Sequence, residues 1–266
     1  MFLLNYVKLI FLDWKKAQWK IWLCIAVLFI GAITFIKVGS FPEDPDSIPD
    51  VFEYLFQKEN IYVYLIPVFL VILSFVLPPI LDPLRLFRFR NRNQLAAAIL
   101  FTVLLTVLIF LLIYFLIGFL YGWLISGTVD NPWATKEGKP YKLFEGNVDL
   151  ALFQSGYMIL RYTVTQFFAF LFIGLLSALL YLLIRRYIIV FLIVSMFAIL
   201  DNTIEAMYLF SLFLRHAEVK LGNWGNVQYF LGHLYYFLGL IVVLCVAIYF
   251  VVARKDFIQQ TEEKAR

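Results

Sequence analysis

Two apolar runs without a single charge, Ile61 to Leu81 and Leu95 to Ile125, limit this chain more than any other feature. Roughly 18 such residues in a row are enough to cross a hydrocarbon core of about 30 Å as a helix. Inside lipid every backbone N–H and C=O must find a partner within the segment, so helices are expected. Barrel strands would be shorter and would alternate polar with apolar. The composition agrees. Of 266 residues, 63% are hydrophobic and 15% charged, whereas soluble domains lie nearer one half and one quarter. No polar stretch is long enough for a separate soluble domain, so one membrane domain is expected over 1–266.

The hydropathy pattern predicts an all-α, six-helix transmembrane bundle. Its spans are expected at about 21–38, 61–81, 95–125, 162–184, 187–200 and 234–253. Residues 1–20 mix Phe, Leu, Ile and Trp with lysines, which suits a helix lying in the headgroup region. Residues 254–266 form a charged tail. The run Tyr187 to Leu200 has 14 residues, about 21 Å of helix, short for a membrane core. Asp201-Asn202-Thr203-Ile204-Glu205 follows, with Asn202 and Glu205 in capping-box spacing. A helix stop near Leu200 and a short outer re-entrant helix over 203–215 are therefore expected. One continuous helix through this region is the alternative. Asp201 and Glu205 are expected as caps facing interfacial water. Between the first two spans lies an acidic, Pro-rich loop, Phe41 to Asp50, and Val51 to Phe56 after it suits a short interfacial helix.

Charge orients the bundle. Of the 22 Lys and Arg residues, 14 fall on one side with five of the 18 acids, leaving eight bases and 13 acids opposite. The two sides carry about +9 and −5. By the positive-inside rule both termini are expected in the cytoplasm of a cell whose plasma membrane the chain crosses repeatedly. The densest basic element is the loop between spans two and three, with Arg85, Arg88, Arg90 and Arg92 interleaved with Phe87 and Phe89. The basic residues form no groove-reading helix, and no nucleic-acid partner is expected. Contact with anionic lipid accounts for some of this charge.

Chemistry-bearing motifs are sparse. Neither a nucleophile elbow nor a metalloprotease motif nor a phosphate-cradling glycine loop occurs. Cys24 and Cys245 lie in expected spans without metal-ligand spacing, and the two histidines, His216 and His233, suit boundary positions. No catalytic, metal or cofactor site is expected. Lys8, Asp13, Lys15, Lys16 and Lys20 interrupt the N-terminal segment, so the first span is expected to stay as an uncleaved anchor. The expected spans other than the fifth hold no Asp, Glu, Lys or Arg apart from Lys37 at the end of the first. Ion-coupled transporters keep such groups near the midplane. If this protein moves a substrate uphill, another polypeptide supplies the work.

With Tyr6-Val7-Lys8-Leu9-Ile10, Asp13 to Lys20, Phe87 to Gln94, the break at Asp201 to Thr203 and Arg254-Lys255-Asp256-Phe257 in view, the chain resembles the permease subunits of ABC-2-type exporters. The small permeases of bacterial peptide-export and bacteriocin-immunity systems are the most similar in layout. The resemblance implies that Arg85, Phe87, Arg88, Phe89, Arg90 and Arg92 form a coupling element that docks on a cytoplasmic ATP-binding subunit. It implies a second permease copy or a sister permease, and ATP held by the partner rather than by this chain. It also implies an outer re-entrant hairpin containing Asp201, Asn202 and Glu205. The acidic first outer loop matches no motif of that family. The uncharged aromatic walls favour an apolar or amphipathic cargo, a hydrophobic peptide first and lipid second. A non-transporting immunity or assembly protein that binds a toxin or membrane partner is the second reading, and an intramembrane enzyme the third.

Overall fold

A computed structural model describes residues 15, 18–38, 47–82, 86, 89, 91–203, 217, 219, 221–224 and 226–254. Eight helices carry the architecture: α1 (Gln18–Val38), α2 (Ile48–Leu55), α3 (Lys58–Leu81), α4 (Arg92–Ser126), α5 (Lys139–Leu143), α6 (Ser155–Ile184), α7 (Tyr187–Thr203) and α8 (Val227–Arg254). The chain is an all-helical, multi-spanning membrane protein.

The six-span expectation needs correcting. Among the described residues four helices are long and apolar enough to cross a membrane: α3, α4, α6 and α8. The apolar stretches Gln18–Gly31 and Tyr187–Asp201, expected to be spans one and five, are shorter. For α7 length is the reason. The 17 residues of α7 rise only about 25 Å. The six-span exporter architecture is therefore not what the chain displays. Helix α7 does not stop at Leu200 but continues through Asp201 to Thr203, where this run of described residues ends. The expected interfacial helix over 1–20 lies almost wholly outside the described residues, as do the re-entrant segment and the tail.

Local chemistry sets the helix ends. At the start of α4 the Asn91 side chain accepts from the Gln94 N–H at 2.9 Å. The helix stops at Gly127, where φ is 66° and glycine escapes the Cβ penalty. Arg185 ends α6 with φ 62°, and Tyr187 opens α7 two residues later. In α3 the turn Ile61–Leu65 is π-helical. Pro67 follows it, and a proline cannot donate to the carbonyl four residues back, here that of Val63; the wider turn absorbs that loss. Helices α6 and α8 start about two turns earlier than the apolar runs implied.

Helix α6 is central, packing against α4, α7 and α8, while α1 leans on α2, α3 and α4. Aromatic rings fill the contacts. Phe69, Phe110 and Phe170 from three different spans meet with centroids 5.1–5.2 Å apart. Buried Thr102, Thr106 and Ser177 donate to carbonyls one turn back at 2.8–2.9 Å and so bring no unpaired hydroxyl into the core. The two ends of the bundle differ in charge. Arg92 donates to the Ala253 carbonyl, and Lys20 lies over the Phe75 ring at 5.2 Å. These contacts put the start of α1, the end of α3, the start of α4 and the end of α8 at one basic end. Helix α2, α5 and the long α4–α6 connection occupy the other.

Candidate functional site

At the end opposite the basic one, α2, α4 and α6 enclose a cleft of about 370 Å³. Its geometry follows from how α2 is seated. Ser47 caps this helix, its hydroxyl also meeting the Asp50 carboxylate. Gly118 and Gly122 of α4 are four residues apart and face α2. A Cβ at Gly122 would lie 2.9 Å from the Ile48 Cα, and one at Gly118 would lie 2.7 Å from Leu55 Cδ1. Small residues at this spacing let a second backbone come close. Val51 and Leu55 are fully buried there, each contributing roughly 1.5–3 kcal/mol.

Side-chain pairs fasten α2 from above. The Trp133 indole N–H donates to Asp50 Oδ1 at 2.8 Å. Lys139 reaches Glu53 at 2.6 Å and lies 5.6 Å from the Tyr54 ring centroid. Burial pulls the Lys139 ammonium down, but the hydrogen bond and charge of Glu53 more than offset this, so its pKa is raised. The pair is fully formed below the ordinary lysine value of 10.5 and is lost only as pH rises through the raised one. With Lys139 more than a third exposed, solvent screening holds its contribution to about 1 kcal/mol or less. At the lower end of α2, Asn60 donates to the Leu55 carbonyl at 2.6 Å and to the Tyr114 hydroxyl at 2.7 Å.

Phe52, Phe115 and Tyr162 form the cleft's inner wall, with Phe52 5.5 Å from Phe115 and 6.1 Å from Tyr162 between centroids. Its mouth is edged by Leu112, Leu116 and Ile159, all exposed. A mouth edged by large apolar side chains on spanning helices opens sideways towards hydrocarbon. Polar groups gather at one end only: Asp130, Asn131 and Ser155. The Asn131 amide is already spent, donating to the Phe153 carbonyl at 2.7 Å and to Ser155 Oγ at 3.1 Å, and accepting from the Trp133 N–H. Asp130 is exposed at this rim.

Next to the cleft, Arg161 is buried although it lies on a spanning helix. It donates to the Trp224 carbonyl, and its guanidinium lies 4.7 Å from the Trp224 ring and 5.2 Å from that of Phe230. Trp224 in turn donates from its indole to the Leu152 carbonyl at 2.8 Å. Arg161 thereby ties α6 to the segment before α8.

Of the residues singled out in the sequence, Arg85, Phe87, Arg88, Arg90 and Glu205 lie outside the described residues. Phe89 is half-buried and packs against Val76 and Ala98. Arg92 is exposed and spans to α8 as above. Asn202 lies in the last turn of α7. Asp201, expected in interfacial water, is buried at 3% exposure and accepts a hydrogen bond from the Tyr62 hydroxyl in the π turn. Buried carboxylates need such donors. Tyr62→Phe should therefore lower stability by about 1–3 kcal/mol, seen as a lower melting temperature in detergent, and Asp201→Asn by less, because an amide oxygen still accepts. No family model matches this chain, and no curated protein or solved structure matches it either.

Proposed function

We propose that this chain is the membrane-spanning permease subunit of an ABC-type exporter of the kind that the sequence resembles, handling an amphipathic molecule and driven by a separate ATPase subunit. The observation that carries the reading is the cleft: an apolar cavity walled by α2 and two spanning helices, polar at one end and edged by exposed apolar side chains. A carrier of amphipathic molecules requires such a surface. The basic end faces the cytoplasm in this proposal, as the positive-inside rule favours. A link from there into the bundle has physical support. Arg92, the last arginine of the basic loop, grips the end of α8, and α8 packs along α6, whose opposite end walls the cleft. Movement imposed on the loop by a docked subunit would thus reach the cargo site through rigid helices.

The test is purification of the tagged full chain in mild detergent from cells that also express its ATPase. The expected result is a complex whose ATP hydrolysis exceeds that of the ATPase alone, with the stimulation lost in Arg92→Glu and in Arg88→Glu/Arg90→Glu. Full biological activity of the chain in cells lacking any such ATPase would overturn the reading and favour a non-transporting immunity or assembly protein.

A further inference from the structure

We propose that the cleft between α2, α4 and α6 holds one acyl chain of a membrane lipid whose headgroup is zwitterionic with a free amine rather than anionic. The inference deepens the reading of the cleft as a cargo site and rests on it, but its test needs no ATPase.

Three features select the ligand. The first is the lack of backbone partners on the walls. Along Leu112 to Phe119 of α4 and Met158 to Tyr162 of α6 they are helical, and the N–H and C=O groups are committed within the helix. A peptide in the cleft would bring one donor and one acceptor per residue and leave them unpaired, at a cost of several kcal/mol each in a lipid-like setting. An acyl chain brings none. The second is size. A peptide helix about 10 Å across would exhaust 370 Å³ in less than about one turn, whereas an extended hydrocarbon chain is narrow. Leu112 lies 14 residues before the end of α4 at Ser126, about 21 Å along the helix axis. The cavity therefore extends inward from the polar rim in the direction that a lipid tail runs from its headgroup.

The third feature is the charge at the rim. Asp130 is the acidic side chain among the cleft's lining residues. A carboxylate there attracts an ammonium and repels a net negative headgroup. The Asn131 amide, committed to Phe153, Ser155 and Met158, has little left for a phosphate. The exposed edges Leu112, Leu116 and Ile159 allow the chain to enter from the side without passing through water.

The experiment uses the full chain in phosphatidylcholine vesicles that contain traces of a photoactivatable lipid, with a diazirine near the end of one acyl chain. Phosphatidylethanolamine and phosphatidylglycerol versions are compared. Labelled sites are read by peptide mass spectrometry. Label is expected to concentrate on Phe115, Leu116 and Met158, about fivefold more from the ethanolamine lipid than from the glycerol lipid, a ratio within reach of one interfacial charge. Met158→Trp would fill the cleft but risks misfolding, because Met158 is buried. Leu116→Trp is therefore the main variant: Leu116 is exposed, so the larger ring blocks the mouth without disturbing the core, and label in the cleft should vanish. Asp130→Asn should remove the headgroup preference and keep the label. The proposal is overturned if label is spread evenly over the lipid-facing sides of α7 and α8 and ignores Leu116→Trp. It is also overturned if the two lipids label alike in the native chain, or if an apolar peptide displaces the label at concentrations that leave a competing lipid without effect. A cleft that labels as expected in a chain that stimulates no ATPase would sink the permease reading alone. Stimulation without cleft labelling would sink the lipid proposal alone.

Discussion

Gly122→Leu should unseat α2, lower the melting temperature of the detergent-solubilised protein sharply and abolish whatever binds in the cleft. The reason is steric and local. A Cβ at this position meets the Ile48 Cα at 2.9 Å, its Cγ1 at 3.0 Å and its Cβ at 3.3 Å. The closest of these is backbone, so no rotamer change relieves it, and α2 as a whole must move away. Overpacking of this kind costs about 1–3 kcal/mol when the surroundings adjust. The cost rises beyond that range if α2 is lost from its seat, because Val51, Phe52 and Leu55 lose their burial together. Gly118→Ala is the matched control. Its nearest neighbours are the Leu55 and Phe52 side chains, whose ends can shift by a few tenths of an ångström, so the loss should be much smaller. Thermal melts of the two variants beside the native chain decide the matter. Equal melting of Gly122→Leu and the native chain would mean that α2 is not seated on α4 in solution.

Arg161→Leu is the second change with a large expected effect, about 2–4 kcal/mol of stability lost. Leucine fills part of the volume but leaves the Trp224 carbonyl without its donor. It also removes the cation sandwiched against Trp224 and Phe230, an arrangement worth about 1–2 kcal/mol when desolvated. Arg161→Lys keeps the charge and loses the planar fork, and an ammonium on a flexible stem cannot both stack between two rings and reach the carbonyl. It should recover less than half of the loss. The readout is hydrogen exchange. The amide of Trp224, which bonds the Leu221 carbonyl at 2.9 Å, should exchange faster in Arg161→Leu, while amides in the middle of α4 keep their native rates. A uniform increase across the bundle would instead mean that Arg161 supports the whole fold and not this connection.

Much of the helical framework was legible because uncharged runs of sufficient length have one low-energy outcome in lipid. This holds for α3, α4, α6 and α8. Helix α2 was also legible, through the apolar spacing of Val51 to Phe56 just beyond the prolines. The early starts of α6 and α8 were not. Charge in a sequence marks the edge of a hydrophobic run, and Arg161 lies inside the fold only because Trp224 and Phe230, some 60 positions later, enclose it. Asp201 misled for the same reason. Its donor, Tyr62, is 139 positions away, and nothing near Asp201 in the chain reveals that it is covered. The short length of the run expected as span five was on view, and length is what removed it from the count. A usable signal went unread in Gly118-x-x-x-Gly122, the one place in α4 where two glycines one turn apart invite a neighbouring backbone. The cleft had no signature of its own, since its walls come from three separate stretches.

The seating of α2 also bears on the order in which the chain can be assembled during synthesis. Residues 48–55 leave the ribosome well before Gly118 and Gly122, and before Trp133 and Lys139, which hold them from above. A nascent α2 has no groove to enter. Its apolar face must rest at the membrane surface, as amphipathic helices do, until α4 has crossed the bilayer and the following connection has been made. The last clasp, Arg161 on Trp224, waits still longer, for nearly the entire chain. The pocketed end of this protein is therefore the last part to mature, and a nascent chain arrested before α6 would carry α1 to α5 and no cleft.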